Sequence, residues 1–125
     1  MIVETIKKID ISWQDEKLSE IDISNHTDLE YLTLAKNRLK CLDVSKNVKL
    51  KTLNVVFNVI ESLDITNLKD LEELYINYNR IQTIDISNNL KLRILDLNYG
   101  VFVIIDSSQC ELMKKYNITN YRIKI

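Results

Sequence analysis

The chain has 125 residues, 46% of them hydrophobic and 28% charged, with 17 basic and 18 acidic side chains for a net charge of -1. That balance specifies a folded domain with a core and excludes a disordered chain; it also supplies no long-range field for gathering phosphates or anionic lipid, so neither nucleic acid nor a membrane is an expected partner. With one glycine and no proline, the turns must be made by asparagine, aspartate and serine.

The opening "MIVETIKKIDISW" carries charges inside every apolar run, so it has no signal-peptide core, and no later stretch approaches the roughly 20 apolar residues of a membrane span. A cytoplasmic protein is the expectation, with Cys41 and Cys110 as free thiols rather than a disulfide. The segment 1–7 reads as a thin N-terminal cap, 8–105 as five 21-residue repeats and 106–125 as a C-terminal cap, all within a single domain, 1–125.

The repeats emerge as columns. Leu29, Leu50, Leu71 and Leu92 recur at one constant spacing, which Leu32, Leu53, Leu74 and Leu95 share, as do Leu34, Val55, Ile76 and Leu97. Further columns are Leu39, Ile60, Ile81 and Phe102; Leu42, Leu63, Ile84 and Ile105; and Val44, Ile65 and Ile86. One period back, Ile11, Trp13, Leu18, Ile21 and Ile23 make an earlier copy, which assigns Trp13 to the core. One period forward, Met113, Tyr116, Ile118 and Ile123 make a degenerate last one. The alternating LxL triplet reads as a half-buried strand, and strands repeated at a constant offset bury their leucines only by stacking on neighbouring coils. Five to six coils at about 4.8 Å each give a stack on the order of 25 Å.

The copies "LEYLTLAKNRLKCLDVSKNVK", "LKTLNVVFNVIESLDITNLKD" and "LEELYINYNRIQTIDISNNLK" resemble LxxLxLxxNxL followed by a half of LDxSxN type. This is similar to the leucine-rich repeat family in its short bacterial variety. The resemblance implies a horseshoe-type α/β solenoid, sheet-rich, with a parallel concave sheet of about five to six coils and little helix, extended or 3₁₀ segments forming its return side. It also implies that Asn37, Asn58 and Asn79 form a ladder of buried amides bonded to backbone at the turn between coils. An amide with two donors and an acceptor suits that role. The ladder is expected to end at Gly100 in the last copy and at Glu16 in the first.

Asp22, Asp43, Asp64, Asp85 and Asp106 also align, each with Ser or Thr two residues on: Ser24, Ser45, Thr66, Ser87 and Ser108. A line of equal carboxylates is a poor metal or acid/base site, which needs convergent and unlike groups; turn-forming hydrogen bonds are the favoured role. His26 is the single histidine and shares a column with Asn47 and Asn89, read as a surface turn. No Ser/His/Asp set, HExxH or phosphate-cradling glycine loop is present, so no catalytic residue, metal or cofactor is assigned and an enzyme is not expected. The basic run Lys36, Arg38, Lys40, Lys46, Lys49 and Lys51 is read as compensated by Glu61, Asp64, Asp70, Glu72 and Glu73 on the next coils.

The residues between and after the LxL leucines point out of the concave face. They read Asp10, Ser12, Gln14 and Asp15 in the first copy and end in the column Lys36, Phe57, Tyr78 and Tyr99. Three rings are therefore expected to stack along that face, with Tyr75 and Val56 beside them and Glu73 and Asp96 framing them. Exposed rings among Asn and Asp have the composition of a protein-binding surface. The reading is a non-enzymatic recognition module for a protein partner, a monomer with an end-to-end dimer as the variant. The alternatives are an inhibitor or immunity protein that blocks a toxin or enzyme, and a self-assembling structural protein. In the C-terminal cap, Ser108 to Glu111 fits a capping box before a short helix over 110–115, and "YRIKI" alternates as a strand.

Overall fold

A computed structural model describes residues 5–125, so the first four residues of the expected N-terminal cap lie outside the described residues. The LxL triplets fold as short strands: β1 (Lys8–Asp10), β2 (Tyr31–Thr33), β3 (Thr52–Asn54), β4 (Glu73–Tyr75) and β6 (Ile94–Asp96). They form one parallel sheet in the order β1-β2-β3-β4-β6. From β2 onward the pairing keeps the spacing of the sequence columns, with Leu32 opposite Leu53 and Leu53 opposite Leu74. Their leucines point inward and are fully shielded: Leu32, Leu53 and Leu74 are each 0% exposed. The second half of the last coils adds a smaller parallel sheet of β5 (Thr83–Asp85), β7 (Phe102–Ile105) and β8 (Tyr121–Ile123), in the order β5-β7-β8. The result is a parallel-sheet solenoid of about six turns with one short helix, α1 (Cys110–Lys115). No helix among the described residues is long and apolar enough to cross a membrane.

The repeat is not uniform at its ends. Ile9 lies opposite Leu32, a step of 23, while the Leu18 N–H donates to Asn37 Oδ1 as the Leu39 N–H does to Asn58 Oδ1. Two extra residues therefore sit between Trp13 and Leu18, in "QDEK". Ile11 takes the place of Leu34, and Trp13 takes the place of Lys36. The assignment of Trp13 to the core is thus corrected: it is 70% exposed. At the other end Val103 lies opposite Ile84, a step of 19. Val103 is buried and Phe102 only half-buried, so Phe102 does not continue the Ile81 column.

Two ladders of buried amides join the coils. Asn58 donates through Nδ2 to Leu34 O and Val55 O, both at 2.9 Å, and its Oδ1 accepts the Leu39 N–H at 3.0 Å. Asn37 and Asn79 repeat this pattern one coil to either side. At the last coil Gly100 stands in the column with φ +86, and the left-handed conformation that glycine takes freely replaces the amide. The first-copy counterpart is Gln14 rather than Glu16, because of the longer first step. The second ladder corrects a surface assignment. Asn47 and Asn89 are 0% exposed; Asn47 donates to Ile23 O and His26 O, Asn89 to Ile65 O and Leu68 O. Gln109 adds a further rung at Ile86 O and Asn89 O. Leu68 interrupts the column with an apolar side chain.

The aspartate column makes turns. Asp22, Asp64, Asp85 and Asp106 each accept both the N–H and the hydroxyl of the Ser or Thr two residues on, and Asp43 accepts the N–H of Ser45. Hydrogen bonding from that residue holds the carboxyls of Asp22, Asp43, Asp64 and Asp106 below the usual aspartate range. Burial pushes Asp85 up, and its bonds from Ser87 and Lys124 outweigh that effect.

Charges on the approach to each concave strand alternate by coil. Asp28 and Glu30 on one coil pair with Lys49 and Lys51 on the next, and Asp70 and Glu72 pair with Lys91 and Arg93. Compensation between coils is thus present, but Lys49 and Lys51 meet the acids of the preceding coil, not the following one. In the C-terminal cap the capping box joins Asp106 and Gln109 rather than Ser108 and Glu111, because a 3₁₀ turn at Ser107–Gln109 precedes α1. Met113 is buried in the core, Tyr116 and Ile118 pack against it, and Ile123 remains 43% exposed.

Candidate functional site: the concave face

The turn that follows each concave strand carries the residue before the ladder asparagine. In four successive coils this residue is left-handed, with φ of 62 at Trp13, 59 at Lys36, 58 at Phe57 and 58 at Tyr78. Glycine, asparagine and aspartate accept this conformation most readily, whereas bulky side chains are disfavoured there by about 1–2 kcal/mol each. The chain nonetheless places three aromatics and a lysine at these positions, and they form one continuous column. Lys36 Nζ lies 3.1 Å from the Trp13 ring centroid and 5.1 Å from that of Phe57. Phe57 in turn stacks on Tyr78, with centroids 4.2 Å apart and planes within 5°. The backbone conformation aims every one of these side chains out of the coil, so Phe57 is 44% and Tyr78 58% exposed.

Tyr99 belongs to the same sequence column but not to the stack. The positive φ has moved to Gly100, and Tyr99 projects into solvent with no ring partner among the described residues. Asn98, just before it, accepts the Asn79 N–H at 3.4 Å, which keeps this turn beside that of Tyr78. A cleft lined by Asn79, Arg80, Gln82, Asn98 and Tyr99 runs alongside.

Tyr75 is half-buried and tethered: its hydroxyl donates to Glu73 Oε1 at 2.8 Å. That bond, aided by burial, raises the phenol's pKa above its ordinary 10.0. Glu73 Oε2 also accepts Thr52 Oγ1 at 3.3 Å and lies 3.4 Å from Arg93 Nη2. Asp96 is half-buried and takes the Asn77 amide at 3.1 Å, while Asn77 Oδ1 accepts the Tyr78 N–H at 2.9 Å. Val56 is half-buried beside Phe57, its carbonyl holding the Lys36 N–H at 3.0 Å. Phe57, Tyr78, Tyr75, Val56, Glu73 and Asp96 thus share one surface. Trp13 was missed as a member of it because a strictly constant step hides the two extra residues in its coil. The outward residues of the first coil are accordingly Lys8, Asp10 and Trp13, whereas the Ser12 hydroxyl is buried like its counterpart Ala35.

No family model matches the sequence, and no curated protein matches it. Among solved structures, an internalin (InlF) from Listeria monocytogenes str. 4b F2365 aligns over 96% of this chain with a TM-score of 0.61 and 22% sequence identity. The fold is similar to that of an internalin. The functional domain of InlJ from Listeria monocytogenes also aligns, over 94% of the chain at 17% identity and a TM-score of 0.49. The chain spans less than half of either structure, 43% of the InlF chain and 36% of the InlJ chain. The InlF likeness supports the leucine-rich repeat reading of the columns at the level of the fold.

Proposed function

We propose that this chain is a non-enzymatic protein-recognition module whose concave face receives a partner through Phe57, Tyr75, Tyr78, Tyr99 and Val56, framed by Glu73 and Asp96 and extended by Trp13. The observation that carries this reading is the column of bulky side chains at left-handed turns. Folding alone is served better there by asparagine or glycine, so the strain is accepted for what the side chains present to solvent. Rigid rings with polar neighbours contribute contact area at a small entropy cost. The carboxylates of Asp10, Glu73 and Asp96 on the same face argue against nucleic acid, which would otherwise stack on such rings.

The covering of the last coil supports a monomer. Lys115 Nζ and the Tyr116 hydroxyl donate to Arg93 O and Met113 enters the core, so the segment 106–125 occupies the side that end-to-end stacking would use. A random-sequence peptide library displayed against the immobilised chain tests the module. Enriched peptides are expected to lose binding to the Phe57→Ala, Tyr78→Ala double variant while its urea midpoint shows a folded protein. Peptides that bind wild type and double variant alike would reject this face as the site.

A further inference from the structure

Some groups on the concave face are paired within the chain, whereas Tyr78 and Asp96, on adjacent coils, each keep an unpaired side. Glu73 has its cation in Arg93, and Trp13 and Phe57 enclose the ammonium of Lys36 between them. Tyr78, by contrast, gives one ring face to Phe57 and the other to solvent. Asp96 accepts one amide through Oδ1 and has no cation within ion-pair distance among the described residues. The two are linked through Asn77, which bonds to both. An open π face attracts a cation, and a half-buried carboxylate without a counter-ion does the same.

We infer that the C-terminal half of the concave face is a receptor for an arginine side chain of the protein partner, stacked on the open face of Tyr78, flanked by Tyr99 and paired with Asp96. This rests on the recognition-module reading of the same face. Arginine is favoured over lysine because a planar guanidinium stacks on a ring and pairs with a carboxylate at the same time, which a compact ammonium does less well. The chain supplies its own precedent two coils away, where the cation of Lys36 is held between two rings of the same column. Tyr99, outside the stack where the left-handed conformation has moved to Gly100, is free to close on a guanidinium from the far side.

The experiment uses the full chain and the peptides enriched from the random-sequence library, each resynthesised with every arginine replaced by citrulline, which keeps the shape and removes the charge. The enriched peptides are expected to share an arginine, and citrulline at that place to weaken binding by about tenfold or more. Asp96→Asn is expected to weaken the parent peptide similarly and the citrulline peptide little, so that the two changes are strongly non-additive. The Asn side chain can still accept the Asn77 amide, so an unchanged urea midpoint is expected for that variant. Enriched peptides without arginine that still depend on Phe57 and Tyr78 would overturn the arginine inference and leave the module standing, as would full additivity. A library yielding no binder would overturn both.

Discussion

Replacing Asn58 by alanine removes one rung of the ladder that joins four coils, and the bonds around it set the cost. Leu34 O and Val55 O each accept a second amide, from Asn37 and Asn79 respectively, so after Asn58→Ala both carbonyls stay bonded and lose only the surplus bond, about 0.5–1.5 kcal/mol each. The Leu39 N–H has Asn58 Oδ1 as its acceptor; Leu39 is 0% exposed, and leaving that donor unpaired costs roughly 1–3 kcal/mol. The sum is roughly 2–6 kcal/mol. At about 4 °C per kcal/mol for a chain of this size, that is a fall of roughly 8–24 °C in Tm. The assay is urea unfolding followed by far-UV circular dichroism, with wild type and variant fitted to a common slope. Asn67→Ala is the control, since that exposed amide makes a single bond to Ser45 O. A loss for Asn58→Ala below about 1 kcal/mol, or no larger than for the control, would refute the claim that the amide holds the coils together.

Three further outcomes follow from the geometry. Tyr78→Gly should be more stable than Tyr78→Ala by about 1 kcal/mol, because glycine relieves the left-handed strain and alanine does not; equal urea midpoints would show the turn is not strained. Trp13 is the single tryptophan, so Lys36→Met, which keeps the aliphatic stem and removes the charge, should change its emission while lowering stability by about 0.5–1 kcal/mol; superimposable spectra would mean the ammonium does not sit on the ring. The aspartates of the turn column are held below their ordinary value of 3.8 in the fold. Their contribution is therefore complete above that pH and declines as pH falls through the lower folded values. Asp64→Asn should flatten the acid limb of a thermal-midpoint profile, and an unaltered limb would remove this turn from the account of acid stability.

The solenoid and its concave sheet were legible because a buried LxL strand must recur at the same step in each coil, and Leu32, Leu53, Leu74 and Leu95 do. The asparagine ladder and the ring pair Phe57–Tyr78 followed from the same arithmetic. What escaped were departures from it. Two added residues after Trp13 and a shorter return before Val103 leave no mark in composition, and only strand pairing shows where the step changes. Asn47 and Asn89 read as surface because turns are usually wet; their burial depends on the coil wall closing over them, which is a property of packing. That Lys36 would sit on Trp13 was hidden by the same two added residues, and the left-handed φ of its column is a backbone fact that the side-chain types argue against.

The alternation of charge along the edge that leads into the concave sheet gives the coils a parity. Removing one coil, 49–69, would set Asp28 against Asp70 and Glu30 against Glu72, like facing like. Removing two, 49–90, would set Asp28 against Lys91 and Glu30 against Arg93 and restore every pair. Each pair is exposed and worth little alone, yet they all change sign together. The hydrophobic core repeats with every coil, but the electrostatic unit is a doublet, so length variants of this solenoid are compatible with its own surface only when coils are gained or lost in twos.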